Sequence, residues 1–379
     1  MAGGLLTLFL GGDVMTGRGV DQVLPHPGDP RLWESFVRDA RTYVRLAEQA
    51  DGPVPRPVDV AWPWGEALTA LDEAAVDLRL INLETSITRS DDAAAGKAVH
   101  YRMDPDNIGC LTVARPDLCS LANNHVLDFG PRGLADTTAS LAAAGLTTVG
   151  AGSDLATAAR PAVLAAGDHR VAVAACGTGS SGIPGSWAAT DRRPGVHLLP
   201  DLSPATADRL CQALDAVRRP TDTAVLSIHW GSNWGYQVPA AHTEFAHMLV
   251  DRGVDVVYGH SSHHPRPIEV YRDRLILYGC GDLIDDYEGI TGYEEFRDDL
   301  RLLYLVSVAP GSGALVRLRM VPLRARRLRL QIASDQDARY LRDALDRASA
   351  PFGCRVSLAG DGLLDLVPAV TATAAAGPV

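Results

Sequence analysis

The sequence predicts an α/β fold with a mostly antiparallel C-terminal part. Short apolar runs rich in β-branched residues alternate with helical patterns over the first two thirds of the chain, which indicates β-α-β units. The 379 residues, 46% of them hydrophobic and 21% charged, suffice for a large globular core. We expect a single domain over residues 1–368 and a disordered tail over residues 369–379.

The first two thirds of the chain supply the predicted β-α-β units. The predicted strands cover residues 5–10, 76–82, 117–122, 147–150, 170–175, 223–228 and 254–258. The predicted helices cover residues 31–50, 64–74, 133–144, 204–218 and 240–252. Pro131 and Pro204 stand where first-turn prolines occur, and Gly145 and Gly253 stand where helices commonly end.

The C-terminal third has a different pattern, in which strands and hairpins dominate. The predicted strands cover residues 267–270, 275–278, 302–308, 314–321, 327–332, 354–358 and 363–366, and a helix covers residues 335–349. The first two strands form a hairpin around Arg272, Asp273 and Arg274, and the last two form another. No linker divides this part from the rest, which is why we expect one domain.

Composition excludes several classes of function and indicates a cellular compartment. A net charge of −11 opposes general binding to nucleic acid or to an anionic membrane. The six cysteines are far apart and form no C-x-x-C pair, which is typical of reduced thiols. Neither a signal-peptide pattern nor an apolar stretch of ~20 residues occurs. We therefore expect a cytoplasmic protein with no membrane anchor, no nucleic-acid partner and a small-molecule or peptide-like substrate; the oligomeric state is left open.

Side chains that bind metals follow five predicted strands. They are Asp13, Glu84, Asn124 with His125, His229, and the His260 and His263 of GHSSHH. Because ligands bind at the carboxyl ends of strands in an open α/β sheet, we expect these side chains to converge on one site. Carboxylates, amides and imidazoles are ligands for divalent metals, and a cation would offset the grouped carboxylates. His125, beside the candidate ligand Asn124, is a candidate general acid.

The segment GGDVMTGRG, at residues 11–19, allows two interpretations. The spacing of Gly12 and Gly17 approaches that of a phosphate-binding loop. However, Arg18-Gly19 replaces the Lys-Ser/Thr of such loops, and Pro25 leaves no room for the long helix that they require. We therefore interpret the segment as a turn that presents Asp13 to a metal.

Two further segments supply candidate substrate-binding residues. The acid-rich segment 279–289, with Asp282, either extends the metal site, binds a cationic substrate group, or is a solvated loop. Segment 227–239 places Trp230 and Trp234 beside His229, as either a pocket rim or loop packing. The substrate-binding candidates are Asn123, Trp230, Trp234 and Asp282.

These motifs together resemble a known family. GDVMTGRG, INLETSIT, SLANNHVLDFG, SIHWGSNWGYQVP and GHSSHHPRPIEV, over about residues 5–321, resemble the CapA family of poly-γ-glutamate capsule-biosynthesis proteins. That family is related to the calcineurin-like metallophosphoesterases. The resemblance implies a four-layer αββα sandwich with a dinuclear metal centre at one end of the sheets.

The resemblance also implies roles for individual residues. By position, the implied metal ligands are Asp13, Glu84, Asn124, His229, His260 and His263, and the implied general acid is His125. Met15 stands where the phosphoesterases have a histidine ligand, and one extra residue separates His260 from His263. The implied cofactor is one or two divalent ions, Mn²⁺, Mg²⁺ or Zn²⁺.

Two functional hypotheses follow. The first is a metal-dependent hydrolase of the phosphoesterase type, related to capsule biosynthesis, that acts on a small phosphate ester or amide. The alternative is a protein that binds poly-γ-glutamate or an acidic peptide, or assists amide ligation, without hydrolysis. Met15 in place of a ligand favours the alternative.

Overall fold

Two β-sheets pack face to face in the computed structural model, which describes residues 4–368. Helices cover the outer faces of both sheets. This is the four-layer αββα sandwich of the metallophosphoesterase type, so the predicted fold class is confirmed. Residues 369–379, predicted as a disordered tail, lie outside the described residues.

The strands are numbered along the chain. Those among the described residues are β1 Leu6–Val14, β2 Leu78–Leu83, β3 Ser86–Ile87, β4 Arg102–Met103, β5 Leu118–Ser120, β6 Thr147–Val149, β7 Ala151–Gly152, β8 Ala162–Ala166, β9 His169–Gly177, β10 Gly195–Val196, β11 Thr223–His229, β12 Val256–His260, β13 Ile268–Tyr271, β14 Arg274–Leu277, β15 Asp282–Ile284, β16 Leu300–Val308, β17 Leu315–Ala325, β18 Leu330–Ile332, β19 Cys354–Leu358 and β20 Leu364–Pro368.

The helices are numbered in the same way. The α-helices of the described residues are α1 Arg18–Asp21, α2 Arg41–Asp51, α3 Ala67–Glu73, α4 Gly109–Thr112, α5 Gly130–Ala143, α6 Leu155–Ala158, α7 Pro204–Asp215, α8 Ala240–Asp251 and α9 Asp335–Ser349. Ser203 and Ser334 cap α7 and α9, because each side chain accepts a hydrogen bond from a backbone amide of the first turn.

The larger sheet has ten strands, in the order β19-β20-β17-β16-β1-β2-β5-β6, with β15 beside β1 and β18 beside β17. The strands β1, β2, β5 and β6 are parallel, and β16 joins β1 antiparallel. The C-terminal strands therefore extend the same sheet that contains the first strand. The smaller sheet has the order β13-β14-β12-β11-β9-β8 and is parallel from β14 to β9.

The central strands of the smaller sheet are apolar on both faces over most of their length. In β11, Val225 points into the core between the sheets, and Leu226 points to the outer core beneath α7 and α8. Tyr258 of β12 donates a hydrogen bond to the carbonyl of Gly11 in the other sheet. This contact joins the two sheets next to the end of β1, where Asp13 lies.

Two predicted helices begin later than expected. The helix expected from residue 31 begins at Arg41, because Glu34 is buried against Arg18 and Tyr43 and the segment before the helix bends to bring it there. The helix expected from residue 64 begins at Ala67, after Gly65 with a φ of +48°. A buried ion pair and a left-handed glycine therefore override the helical pattern.

Two strands differ from the prediction in the C-terminal third. The strand expected over residues 327–332 is confined to β18, because Arg327 and Leu328 have positive φ and form the turn of the β17–β18 hairpin. β15 lies inside the segment 279–289, which we expected to be a loop. It pairs in parallel with β1 and places Asp282 opposite Asp13.

No helix of residues 4–368 is both long enough and apolar enough to cross a lipid bilayer. The six cysteines, all of which lie within the described residues, are buried and form no disulfide. Burial raises the pKa of the Cys110 and Cys119 thiols to about 12, so both remain protonated at neutral pH.

Candidate metal centre

Asp13 and Glu84 form the floor of the site, at the adjacent ends of β1 and β2. The amide Nδ2 of Asn82 donates to Asp13 Oδ1 and to Glu84 Oε2, both at 2.8 Å. The backbone amide of Ser261 donates to Asp13 Oδ2 at 3.2 Å. These contacts hold two carboxylates side by side in an interior that excludes solvent.

A third carboxylate, Asp282, completes this floor. Its Oδ1 lies 3.0 Å from Nδ1 of His263, and its buried Oδ2 has no hydrogen-bond partner among the described residues. Of the interpretations of this segment, the geometry favours an extension of the metal site, because the short strand β15 places Asp282 beside Asp13. An unpartnered buried oxygen at this position suits a metal ligand.

The three carboxylates perturb one another. Burial, together with the charge of Asp282, raises the pKa of Asp13 to about 7. Burial and the charge of Asp13 raise the pKa of Glu84 well above its usual value. Burial also opposes ionisation of Asp282, but the His263 imidazole holds the pKa of that carboxyl below its usual value. A divalent cation would offset this concentration of negative charge.

His229 and His260 lie opposite the carboxylates, at paired positions on β11 and β12. Their Nδ1 atoms are 2.8 Å apart, and Nε2 of His260 lies 2.7 Å from Oγ of Ser227. Nε2 of His229 lies 3.0 Å from Oδ1 of Asn124. Burial lowers the pKa of His260 to about 3 and that of His229 well below its usual value. Both imidazoles are therefore neutral, as metal ligation requires.

Asp13, His229 and His260 present ligand atoms that lie within 4.8 Å of one another. Glu84 adjoins this group, because its Oε1 lies 3.8 Å from Nε2 of His229. The mixture of carboxylate oxygen and imidazole nitrogen suits Mn²⁺, Zn²⁺ and similar ions. The donor set, the unpartnered oxygen of Asp282 and the uncompensated charge all fit a divalent metal.

His125 lies at the edge of this cluster. Its Nδ1 lies 2.7 Å from Oδ2 of Asp128, and its Nε2 lies 3.9 Å from Oε1 of Glu84. Lys97 donates to the other oxygen of Asp128, and the ring of Tyr101 packs edge-on against the imidazole at 4.5 Å. Burial lowers the pKa of His125 to about 4, although Asp128 opposes this shift. Asp128 therefore fixes a neutral ring whose Nε2 faces the cluster.

A cavity of about 200 Å³ gives access to the centre. The residues that line it include Glu84, Lys97, Asn124, His125, His263 and Tyr287. Candidate metal ligands and His125, the candidate proton-transfer group, therefore line the same cavity.

Arg18, which follows Gly17 in the segment GGDVMTGRG, does not line this cavity. Its buried guanidinium forms ion pairs with Glu34 and Asp286 and stacks on the Tyr43 ring at 3.8 Å. The guanidinium is buried and its charge is balanced by two carboxylates, so it is not presented to a phosphate. The structure thus argues against a phosphate-binding loop. It also corrects the expected turn, because residues 11–14 continue strand β1 and pair with β2 and β15, so the end of a strand presents Asp13.

Met15 is fully buried, and its Sδ lies 3.9 Å from the hydroxyl of Tyr287. The thioether occupies the place that the resemblance assigns to a histidine ligand. His263, the other departure, is held by Asp282 on one side and by Nδ2 of Asn233 at 2.9 Å on the other. His263 therefore lies at the edge of the cluster, beside Asp282.

Two substrate-binding expectations are corrected. Trp230 packs flat against His242, with ring centroids 4.6 Å apart, in the outer core beneath α8. Since side chains alternate along a strand, Trp230 points away from the site that His229 faces. Asn123 is fully buried. Its Nδ2 donates to the carbonyl of Leu83, and its Oδ1 accepts from the backbone amides of His125 and Val126, so it shapes the loop that carries His125. Trp234 lines a second cavity, which is described below.

Four residues that hold the site were not among the sequence candidates: Asn82, Lys97, Asp128 and Ser227. Asn82, on β2, precedes Glu84 by two positions, and Glu84 follows the end of that strand directly. This spacing was a visible signal, since extended backbone places the two side chains on the same side. Asp128 follows His125 by three within a turn. Lys97 comes from a long loop without periodicity, and no pattern marks it.

The fold and the cluster define an αββα sandwich protein with a candidate metal centre at the strand ends. The chain belongs to the family described as "Bacterial capsule synthesis protein PGA_cap", whose model matches residues 7–287. A probable polyglutamine synthesis accessory protein of Mycobacterium tuberculosis (strain H37Rv) is 55% identical over 371 residues, which cover 97% of this chain and 98% of that protein.

More distant relatives carry the capsule name. "Capsule biosynthesis protein CapA" of Bacillus anthracis is 23% identical over 299 residues, covering 79% of this chain and 63% of that protein. A solved structure of a hypothetical protein from Thermus thermophilus aligns with a TM-score of 0.44 at 13% identity, covering 84% of this chain and 99% of that one.

Proposed function

We propose that this protein is a metal-dependent hydrolase of the phosphoesterase type, acting on a small phosphate ester or amide in capsule-polymer metabolism. The observation that carries the proposal is the buried group of Asp13 and two neutral imidazoles, His229 and His260, which the buried carboxylates of Glu84 and Asp282 adjoin. Such a group is costly in a dry interior unless a cation compensates it. Six buried free thiols support a reducing, cytoplasmic compartment.

Asp13, His229 and His260 would hold the metal, with Glu84 and Asp282 within reach as further carboxylate ligands. When bound, a divalent ion would act as a Lewis acid that polarises a phosphoryl or carbonyl oxygen. Ser227 fixes the orientation of the His260 ring through its Nε2 and leaves Nδ1 directed into the cluster.

His125 would move the proton. Nδ1 of His125 lies 2.7 Å from Oδ2 of Asp128 and 2.8 Å from Nζ of Lys97. In the tautomer whose Nδ1 hydrogen Asp128 accepts, the lone pair of Nε2 faces the cavity. The neutral ring can take a proton there and return it to the leaving group. Lys97 balances the charge of Asp128 and keeps that carboxylate ionised, which supports the cation that forms on the ring.

A second candidate function is binding or ligation of an acidic polymer without hydrolysis. The position of Met15 favours it, because a thioether packed against Tyr287 replaces one expected ligand. A single metal ion held by Asp13, His229 and His260 would then suffice to bind a carboxylate-rich ligand without turnover.

The test compares wild-type protein with His229→Ala and His260→Ala after chelation and reloading with Mn²⁺, Mg²⁺ or Zn²⁺. The substrates are bis(p-nitrophenyl) phosphate and γ-glutamyl-p-nitroanilide. We expect metal-stimulated turnover of at least one substrate by the wild type, and its loss in both variants. Asp168→Asn, at an exposed turn, is the matched control. Absence of turnover with every metal, together with retained binding of a γ-glutamyl peptide, would favour the alternative.

A further inference from the structure

A second cavity, of about 150 Å³, adjoins the cavity of the metal centre. The two cavities share Asn233, His263 and Tyr287 as a common wall. We call this second cavity the aromatic chamber; its other lining residues are Trp234, Ile290, Tyr293 and Asp298. A ligand that extends past His263 would therefore occupy both cavities.

Ring faces dominate the aromatic chamber. Trp234 and Tyr293 stack nearly parallel, with ring centroids 4.1 Å apart and an interplanar angle of 6°. The Trp234 ring also lies 5.2 Å from the His263 ring, so it connects the chamber to the metal centre. Indole and phenol faces carry negative electrostatic potential and attract cations.

Asp298 supplies a free charge to the chamber. Its carboxylate is half-buried and forms no hydrogen bond or ion pair with another side chain within residues 4–368. Arg301 donates a hydrogen bond to the backbone carbonyl of Asp298 and not to its carboxylate. The next residue, Asp299, is paired with Arg297 and Arg324. Burial raises the pKa of Asp298 although the charge of Arg301 opposes the shift, which means that a further positive group on the chamber side would be stabilising.

We propose that the aromatic chamber binds the ammonium group of an amino-acid-derived or peptide-like substrate whose reacting bond lies in the adjoining cavity. This assignment of the substrate class rests on the proposed function for the position of the reacting bond. The chamber combines an unpaired carboxylate with stacked rings, and no arginine or lysine occurs among the described residues of its wall. The basic side chain on that wall, His263, is paired with Asp282, so the chamber favours a cation over an anion.

Binding is tested on chelated full-length protein, so that neither metal nor turnover contributes. The probes are benzylamine, which is protonated at pH 7, and benzyl alcohol, its neutral counterpart, titrated by ligand-observed NMR. We expect the wild type to bind benzylamine roughly tenfold more tightly, as a desolvated cation–π contact with a carboxylate predicts. Asp298→Asn should reduce the preference to within about twofold, and Trp234→Leu should weaken the binding of benzylamine.

Glu295→Gln removes one charge from the same loop at an exposed position outside the chamber, and we expect it to keep the wild-type preference. Equal affinities for the two probes, no binding of either, or an undiminished preference in Asp298→Asn would overturn the proposal.

A second measurement separates this proposal from the proposed function. With metal restored, the p-nitrophenyl diesters of 2-aminoethyl phosphate and ethyl phosphate are compared. Asp298→Asn should remove the preference for the aminoethyl diester, whereas Glu295→Gln should keep that preference and hydrolyse the ethyl diester within about twofold of wild type. Lack of hydrolysis of both diesters would contradict the proposed function. The comparison of benzylamine with benzyl alcohol tests ammonium binding in the aromatic chamber independently of that result.

Discussion

Asp13 and Asp282 occupy paired positions on the adjacent parallel strands β1 and β15, and both side chains are buried. Two carboxylates held this close repel each other unless a proton or a cation lies between them. Asn82 and Ser261 already donate to Asp13, and His263 contacts one oxygen of Asp282. The remaining oxygen of Asp282 has no partner among residues 4–368, and it therefore marks where the missing positive charge belongs.

Asp13→Asn should have opposite effects with and without metal. The pKa of Asp13 is raised to about 7, so the unfolded chain ionises this carboxyl first and stability falls as pH rises toward that value. At pH 8 without metal, the variant should therefore have a higher Tm than the wild type. With saturating Mn²⁺ the order should reverse, because a ligand is lost. Thermal unfolding with EDTA and with Mn²⁺ provides the test, and an equal shift in both conditions would refute it.

Gly12→Ala should disturb the carboxylate pair through the backbone. A Cβ at Gly12 would lie 1.9 Å from the carbonyl oxygen of Gly281, so β1 and β15 would have to separate. We expect a loss of ~1–3 kcal/mol in the free energy of unfolding and weaker metal binding. Urea denaturation and metal titration measure the two effects. Gly185→Ala, whose Cβ would meet nothing within 4 Å, is the control, and wild-type behaviour of Gly12→Ala would contradict the close approach.

Asp128→Asn should lower kcat more than it changes KM. The amide carries no negative charge to balance a protonated ring, and it has one accepting oxygen where Asp128 uses two, for Lys97, Tyr101 and His125, so the orientation and the charge support of His125 are weakened. We expect kcat to fall by about 10–100-fold, and by about 10²–10⁴-fold in His125→Gln. Steady-state kinetics with the better of the two chromogenic substrates gives both constants. An unchanged kcat in Asp128→Asn would remove His125 from proton transfer.

His242 should make the protein less stable in mild acid. Burial, with Arg266 nearby, lowers the pKa of His242 to about 4, and the ring stacks on Trp230. As pH falls below the unfolded value of about 6.5, the unfolded chain takes up the proton first, so the free energy of unfolding falls. Between pH 7.5 and 5.0 the wild type should lose ~2 kcal/mol more than His242→Phe. Urea denaturation at both pH values tests this, and parallel losses would contradict it.

The sequence was sufficient to predict the convergence of the main candidate ligands. Asp13, Glu84, His229 and His260 each follow an apolar run, and parallel strands bring their carboxyl ends to one edge. Asp282 could be noticed but not placed, because β15 has only three residues and leaves no periodic pattern.

Tertiary contacts decide what the pattern cannot. Glu34 lies within an amphipathic stretch, but its side chain is drawn into an ion pair with Arg18. The helix therefore begins ten residues later than predicted, at Arg41. Lys97 reaches Asp128 from a loop whose course depends on the whole fold. Trp230 was misassigned although alternation along β11 placed it opposite His229.

Metal stoichiometry tests the central claim most directly. Full-length protein is chelated, dialysed against Mn²⁺ or Zn²⁺, and analysed by inductively coupled plasma mass spectrometry beside Asp13→Asn, His260→Ala and the exposed control Asp168→Asn. We predict one to two metal ions per wild-type and control chain, and a substoichiometric content in the two ligand variants. Equal metal content in all four proteins, or none in the wild type, would contradict a metal centre built on Asp13 and His260.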